Sequence, residues 1–121
     1  MSPILVVDDS ESVRAALRTM LESDGYAVLE AANGAEALQI LVNTADSVPA
    51  LIILDLQMPK MSGWELARIA RSYHRLAGIP LLVISVHEAS EATLPGVAGH
   101  LRKPISRETL LAEVRSIVGE P

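Results

Sequence analysis

Three short runs, Ile4-Leu5-Val6-Val7, Leu51-Ile52-Ile53-Leu54 and Leu81-Leu82-Val83-Ile84, contain no polar residue and are followed at once by polar or charged ones. Runs too short for a helix and apolar at every position are what strands covered on both faces look like, as in a parallel sheet. Two weaker strands are expected at Tyr26-Ala27-Val28-Leu29, after the break Asp24-Gly25, and at Val97-Ala98-Gly99-His100-Leu101, before Lys103-Pro104. Between them the apolar positions recur with helical period. Val13, Leu17, Met20 and Leu21 form one stripe; Leu38, Leu41 and Val42 a second; Leu66, Ile69, Ala70 and Tyr73 a third; Leu110, Leu111, Val114, Ile117 and Val118 the last. Asn33 with Glu36 and Ser62 with Glu65 have capping-box spacing, and Ser106 stands where it can cap the last helix. A short helix is expected over Glu88 to Leu94, ended by Pro95-Gly96.

Strand and helix therefore alternate five times, which predicts an α/β fold: a five-stranded parallel sheet, doubly wound, with helices on both faces. Ligands in such a sheet sit beyond the carboxyl ends of the strands, near the point where strand order reverses. The residues at those ends are Asp8-Asp9 after the first strand, Asp55 after the third, Ser85 after the fourth and Lys103-Pro104 after the fifth. Three carboxylates drawn together repel one another, and a hard divalent cation with oxygen ligands, such as Mg²⁺, relieves that repulsion. With part of the charge neutralised, one carboxylate can attack phosphorus and become an acyl phosphate. A hydroxyl at Ser85 and an ammonium at Lys103 then supply the hydrogen bond and charge that phosphoryl oxygens require.

Composition narrows the classes further. With 121 residues and a mass of 12.9 kDa, one domain over 1–121 accounts for the chain. Fifteen Asp plus Glu against ten Lys plus Arg leave a net charge of −5, and no basic run exceeds Arg102-Lys103, so direct nucleic-acid binding is not expected. Trp64, Tyr26 and Tyr73 are the only aromatics, too few for base stacking. The absence of cysteine removes thiolate catalysis and cysteine zinc sites. No apolar run approaches the roughly 20 residues of a membrane span, so no membrane insertion and a cytoplasmic location are expected. His74, His87 and His100 fall on segments expected at the surface and lack the spacing of metal ligands. Trp64 is expected to anchor the third helix.

Ile4-Leu5-Val6-Val7-Asp8-Asp9-Ser10, then Asp55-Leu56-Gln57-Met58-Pro59-Lys60-Met61-Ser62-Gly63, then Ser85, then Lys103-Pro104 together resemble the receiver domain of two-component response regulators. The resemblance covers essentially the whole chain. It implies the flavodoxin-like (βα)5 fold, Asp55 as phosphoacceptor, Asp9 as a direct Mg²⁺ ligand, Asp8 as a ligand through water and the Gln57 backbone carbonyl as a further ligand. It also implies that Ser85 and Lys103 contact the phosphoryl group and that the Lys103-Pro104 peptide is cis. A sensor histidine kinase or histidine phosphotransfer protein is the implied donor, and with no length left for an output domain the implied output is binding of a downstream protein.

Three features depart from the family pattern. His100 replaces the usual Tyr or Phe of the switch, three residues before the lysine, and brings a titratable ring there. The stretch from Ser85 to Lys103 is about one helical turn short, so the fourth helix is expected to be stunted. Val86 is larger than the usual small residue and is expected to narrow access to Asp55. These departures support an alternative reading, a pseudo-receiver that serves as a constitutive interaction module. A small phosphatase with an aspartyl-phosphate intermediate is a third reading, for which so short a chain leaves little room for a substrate pocket.

Overall fold

The apolar runs become the middle of a sheet. The computed structural model describes residues 2–43, 48–55, 63–73, 76–86 and 97–121, with the backbone alone at 63, 64, 67 and 70. Along these the chain forms β1 (Ile4–Val7), α1 (Glu11–Ser23), β2 (Val28–Ala31), α2 (Gly34–Asn43), β3 (Leu51–Asp55), α3 (Gly63–Ser72), β4 (Leu81–Ser85), β5 (Val97–Arg102) and α4 (Arg107–Val118). The five strands are parallel in the order β2-β1-β3-β4-β5. This is the doubly wound sheet that the alternation predicts. Every residue of β1, β3 and β4 is buried, because layers of helix cover both faces of these central strands. The helix expected over Glu88 to Leu94 lies outside the described residues, as does Ser62 of the capping motif expected for the third helix.

Alternate residues of each strand feed two cores. Leu5, Val7, Ile52, Leu54, Leu81 and Val83 pack with Ala37 and Leu41 of α2 and Leu66 of α3. On the opposite face Ile4, Val6, Ile53, Leu82 and Ile84 pack with Leu17 and Leu21 of α1 and Leu110, Leu111 and Val114 of α4. Aliphatic side chains fill both cores, joined by Tyr26 alone in the second, so the near absence of aromatics leaves the architecture intact. Among the described residues no helix is long and apolar enough to cross a membrane.

Local signals hold where a side chain can reach an orphan helix N–H. Ser10 Oγ accepts from Val13 N and Ser106 Oγ from Thr109 N, capping α1 and α4. Asn33 Oδ1 accepts from Glu36 N at 2.9 Å, while the Glu36 carboxylate takes the N–H of Ala32, one residue earlier than a standard capping box. Other expectations shift. The second strand begins two residues late, because its register against β1 pairs Ile4 with Val28 and leaves Tyr26 as a lead-in. Val42 and Tyr73 are exposed rather than part of their stripes. Helix α3 ends before Tyr73, and Leu76 and Ile79 from the following turn enter the core in its place.

The end of α4 is fastened to the turn between α1 and β2. The Tyr26 hydroxyl donates to the Gly119 carbonyl at 2.7 Å, and Arg115 pairs with Asp24 at 2.6 Å. Gly25 adopts φ +97°, a conformation that calls for glycine, and a Cβ there would also meet Pro121 Cγ in a tight contact at 3.2 Å. Tyr26→Phe removes the donor to a carbonyl that holds the two ends together. It is expected to cost about 1 kcal/mol in urea unfolding, with the sheet unchanged by circular dichroism.

Candidate functional site

A parallel sheet puts all its carboxyl ends on one edge, and strand order decides which of them adjoin. The chain leaves β1 for β2 on one side and returns to β3 on the other, so the crevice opens between β1 and β3. Asp8 and Asp9 follow β1, and Asp55 closes β3. The pairing of Val7 with Leu54 carries Asp8 to the side of Asp55. Asp8 is wholly buried and Asp55 is 5% exposed, whereas Asp9 faces solvent. One oxygen from each of the three carboxylates lies within 4.8 Å of the others.

Lys103 enters this cluster from β5. Its backbone N–H donates to the Ser85 carbonyl at 2.8 Å, which ties the two strand ends together. The Lys103–Pro104 peptide is cis, as the resemblance implied. The ammonium lies 2.8 Å from Asp8 Oδ2 and 3.5 Å from Asp55 Oδ2. Burial alone would lower the Lys103 pKa, but the hydrogen bond and charge of Asp8, joined by Asp55, hold it above the ordinary lysine value. Three carboxylates and one ammonium leave a formal charge of −2, which one divalent cation neutralises.

The donor set suits such a cation. All three groups offer hard oxygen atoms, and neighbouring ligands of an octahedral Mg²⁺ with bonds of about 2.0–2.1 Å lie roughly 3–4 Å apart. The 4.8 Å span is closed by a small side-chain movement or by one bridging water. The exposed Asp9 leaves the site open to solvent, consistent with an ion that retains much of its water.

Every polar atom of Asp8 has a fixed neighbour. Its N–H donates to the Ala31 carbonyl at 3.2 Å, its Oδ1 accepts from Ser10 N at 2.9 Å, and its Oδ2 faces Lys103. Its carbonyl accepts from Arg14 Nη1 at 2.6 Å. Arg14 in turn pairs with Glu30 of β2 through Nε at 3.2 Å, and Arg18 takes the second Glu30 oxygen. Sequence reasoning missed Arg14 and Glu30. A charged residue in the middle of the otherwise apolar stretch Val28–Ala31 was the available signal.

Of the remaining candidates, Ser85 is buried at the end of β4, one step along from the pairing of Asp55 with Ile84. Val86 is 49% exposed and, with Lys103, lines a groove of about 460 Å³ whose apolar wall includes Val13, Leu17, Met20 and Ile105. His100 is half-buried rather than fully exposed. It pairs with Val83 in the sheet, and its Nε2 is buried without a hydrogen-bond partner among the described residues. The reason is the strand's own alternation, which turns His100 towards the same face as Val83. Gln57, His74 and His87 lie outside the described residues, and so does the Trp64 side chain.

A family model for the response regulator receiver domain matches residues 4–115. The chain belongs to that family. Response regulator MprA from Mycobacterium sp. (strain KMS) is 37% identical over 119 residues, covering 95% of this chain and 50% of MprA. The sensor histidine kinase CheAY of Helicobacter pylori is 34% identical over 116 residues, covering 93% of this chain but 14% of the kinase. The chain thus spans half or less of these curated relatives. Among solved structures, the Vibrio cholerae chemotaxis protein CheY4 superposes with a TM-score of 0.85 at 32% identity, covering 97% of this chain and 98% of CheY4. The response regulator TrrA of Thermotoga maritima, solved in complex with Mg²⁺-BeF, gives 0.83 at 28% identity, covering 97% and 99%. The carboxylate cluster of this receiver domain is the acidic pocket of a signalling protein.

Lys103→Met leaves Asp8 and Asp55 facing each other without a countercharge. A loss of about 1–3 kcal/mol in urea unfolding at neutral pH is expected, discounted for the partial exposure of the lysine. Because the Lys103 pKa is raised on folding, its contribution is complete below 10.5, the ordinary lysine value, and fades as pH climbs through the raised one. The variant should lack that alkaline component.

Proposed function

We propose that this receiver accepts a phosphoryl group on Asp55 from the phosphohistidine of a sensor histidine kinase or histidine phosphotransfer protein. The added charge then changes how a downstream protein is bound. The observation that carries this reading is the buried Asp55 carboxylate with Lys103 Nζ at 3.5 Å and Asp8 and Asp9 beside it. Asp55, Asp9 and the Gln57 backbone carbonyl would hold Mg²⁺ directly and Asp8 through water, and the bound ion would offset charge on the phosphoryl oxygens. One Asp55 oxygen forms the new bond to phosphorus as the P–N bond of the donor breaks, and the electron pair leaves with the imidazole. Lys103 moves from Asp8 towards the incoming phosphoryl oxygens, and the Ser85 hydroxyl donates to another of them. The groove lined in part by Lys103, which reaches Asp55, and by Val86 would give the donor protein an apolar seat.

A second reading is a pseudo-receiver that binds its partner constitutively. His100 favours it, because a half-buried imidazole stands where the family carries the Tyr or Phe of its switch. Incubation with acetyl phosphate and Mg²⁺ separates the two. The phosphoacceptor reading predicts a label that disappears with chelator and in Asp55→Asn; no such label would leave the constitutive module standing.

Val86 supplies a further prediction. If its half-exposed isopropyl group narrows access to Asp55, Val86→Ala should both speed labelling and shorten the lifetime of the acyl phosphate by about two- to fivefold. An unchanged lifetime with unchanged labelling would remove Val86 from the account.

A further inference from the structure

The structure assigns Arg14 a role in positioning the cation site, an inference that rests on reading the Asp8, Asp9 and Asp55 cluster as that site. Arg14 lies on α1 and its side chain is 14% exposed. Among the described residues its hydrogen bonds go not to the three carboxylates but to the Asp8 backbone and to Glu30. Its Nη1 donates to the Asp8 carbonyl at 2.6 Å, and its Nε donates to Glu30 Oε1 at 3.2 Å. The planar guanidinium thus links the peptide between Asp8 and Asp9 to the edge strand β2, with a geometry that a lysine's single ammonium does not reproduce.

Glu30 is itself held from its other side. Arg18 Nη1 pairs with Glu30 Oε2, Arg18 Nη2 donates to the Val28 carbonyl at 3.2 Å, and Arg18 Nε reaches Glu22 at 3.3 Å. Two arginines and two glutamates therefore form a neutral set. A bare arginine this close to a cation site would weaken binding by repulsion, but its charge is offset within the set. What remains is geometry. Rotation of the Asp8–Asp9 peptide would swing the Asp9 carboxylate and strain the Asp8 contacts to Ser10 and Lys103, and Arg14 opposes that rotation. Outer groups that orient ligands commonly govern metal affinity in this way.

Mg²⁺ titration by calorimetry on the full chain tests the assignment, using Arg14→Lys, Arg14→Gln and Glu30→Gln, with melting in chelator confirming that each variant is folded. Positioning predicts that Arg14→Lys, although it keeps the charge, weakens Mg²⁺ by about tenfold, and that Arg14→Gln weakens it as much. Glu30→Gln should weaken it by a smaller factor, since the Asp8 carbonyl contact survives. Wild-type affinity in Arg14→Lys, or tighter binding in Arg14→Gln, would show that only charge acts and overturn the inference. If wild type itself bound no Mg²⁺, or bound it independently of Asp9 and Asp55, the cation-site reading would fall and take this inference with it.

Discussion

The mutual repulsion of Asp8, Asp9 and Asp55 is the constraint around which the molecule is organised. Two of these carboxylates are buried at the end of a hydrophobic sheet, where an uncompensated charge costs several kcal/mol. The fold tolerates them because β5 delivers the Lys103 ammonium to the same edge and because each polar atom of Asp8 has a fixed neighbour. The compensation is incomplete by two charges. That deficit makes the site receptive to a divalent cation and keeps it from being a closed structural ion pair.

Much of the rest of the structure serves to hold this edge in place. Two aliphatic cores clamp the sheet from both faces, which fixes the strand ends relative to one another. The Arg14–Glu30–Arg18 set ties the acidic loop to the edge strand, and the backbone bond from Lys103 to Ser85 ties β5 to β4. The site is therefore stiff where charge must be placed and open where Asp9 and the groove beside Val86 meet solvent. Stiffness with one open side is what transfer of a charged group between proteins requires.

The hydrophobic pattern alone revealed strand number, sheet class and the edge carrying the chemistry, because central parallel strands are apolar at every position. It was weaker at the margins. The edge strand β2 pairs on one side only and buries just Val28 and Ala31 of its four residues, so its limits depend on its register with β1. Tyr73 fitted a helical stripe only if the helix continued past Ser72. Asp8, Asp9, Asp55 and Lys103 were legible because each directly follows or ends a strand. Arg14 and Glu30 were not, since their relation depends on how α1 crosses β2, and spacing does not encode that crossing. The partial burial of His100 also escaped the sequence, because it depends on which face of β5 the ring occupies.

The most direct test of the central claim is a crystal structure of the full chain grown with Mg²⁺ and beryllofluoride. The account predicts a cation among Asp8, Asp9 and Asp55, beryllofluoride on an Asp55 oxygen, and the Lys103 ammonium withdrawn from Asp8 to a fluorine. Beryllofluoride absent from Asp55 at saturating concentrations, with Lys103 still on Asp8, would contradict it.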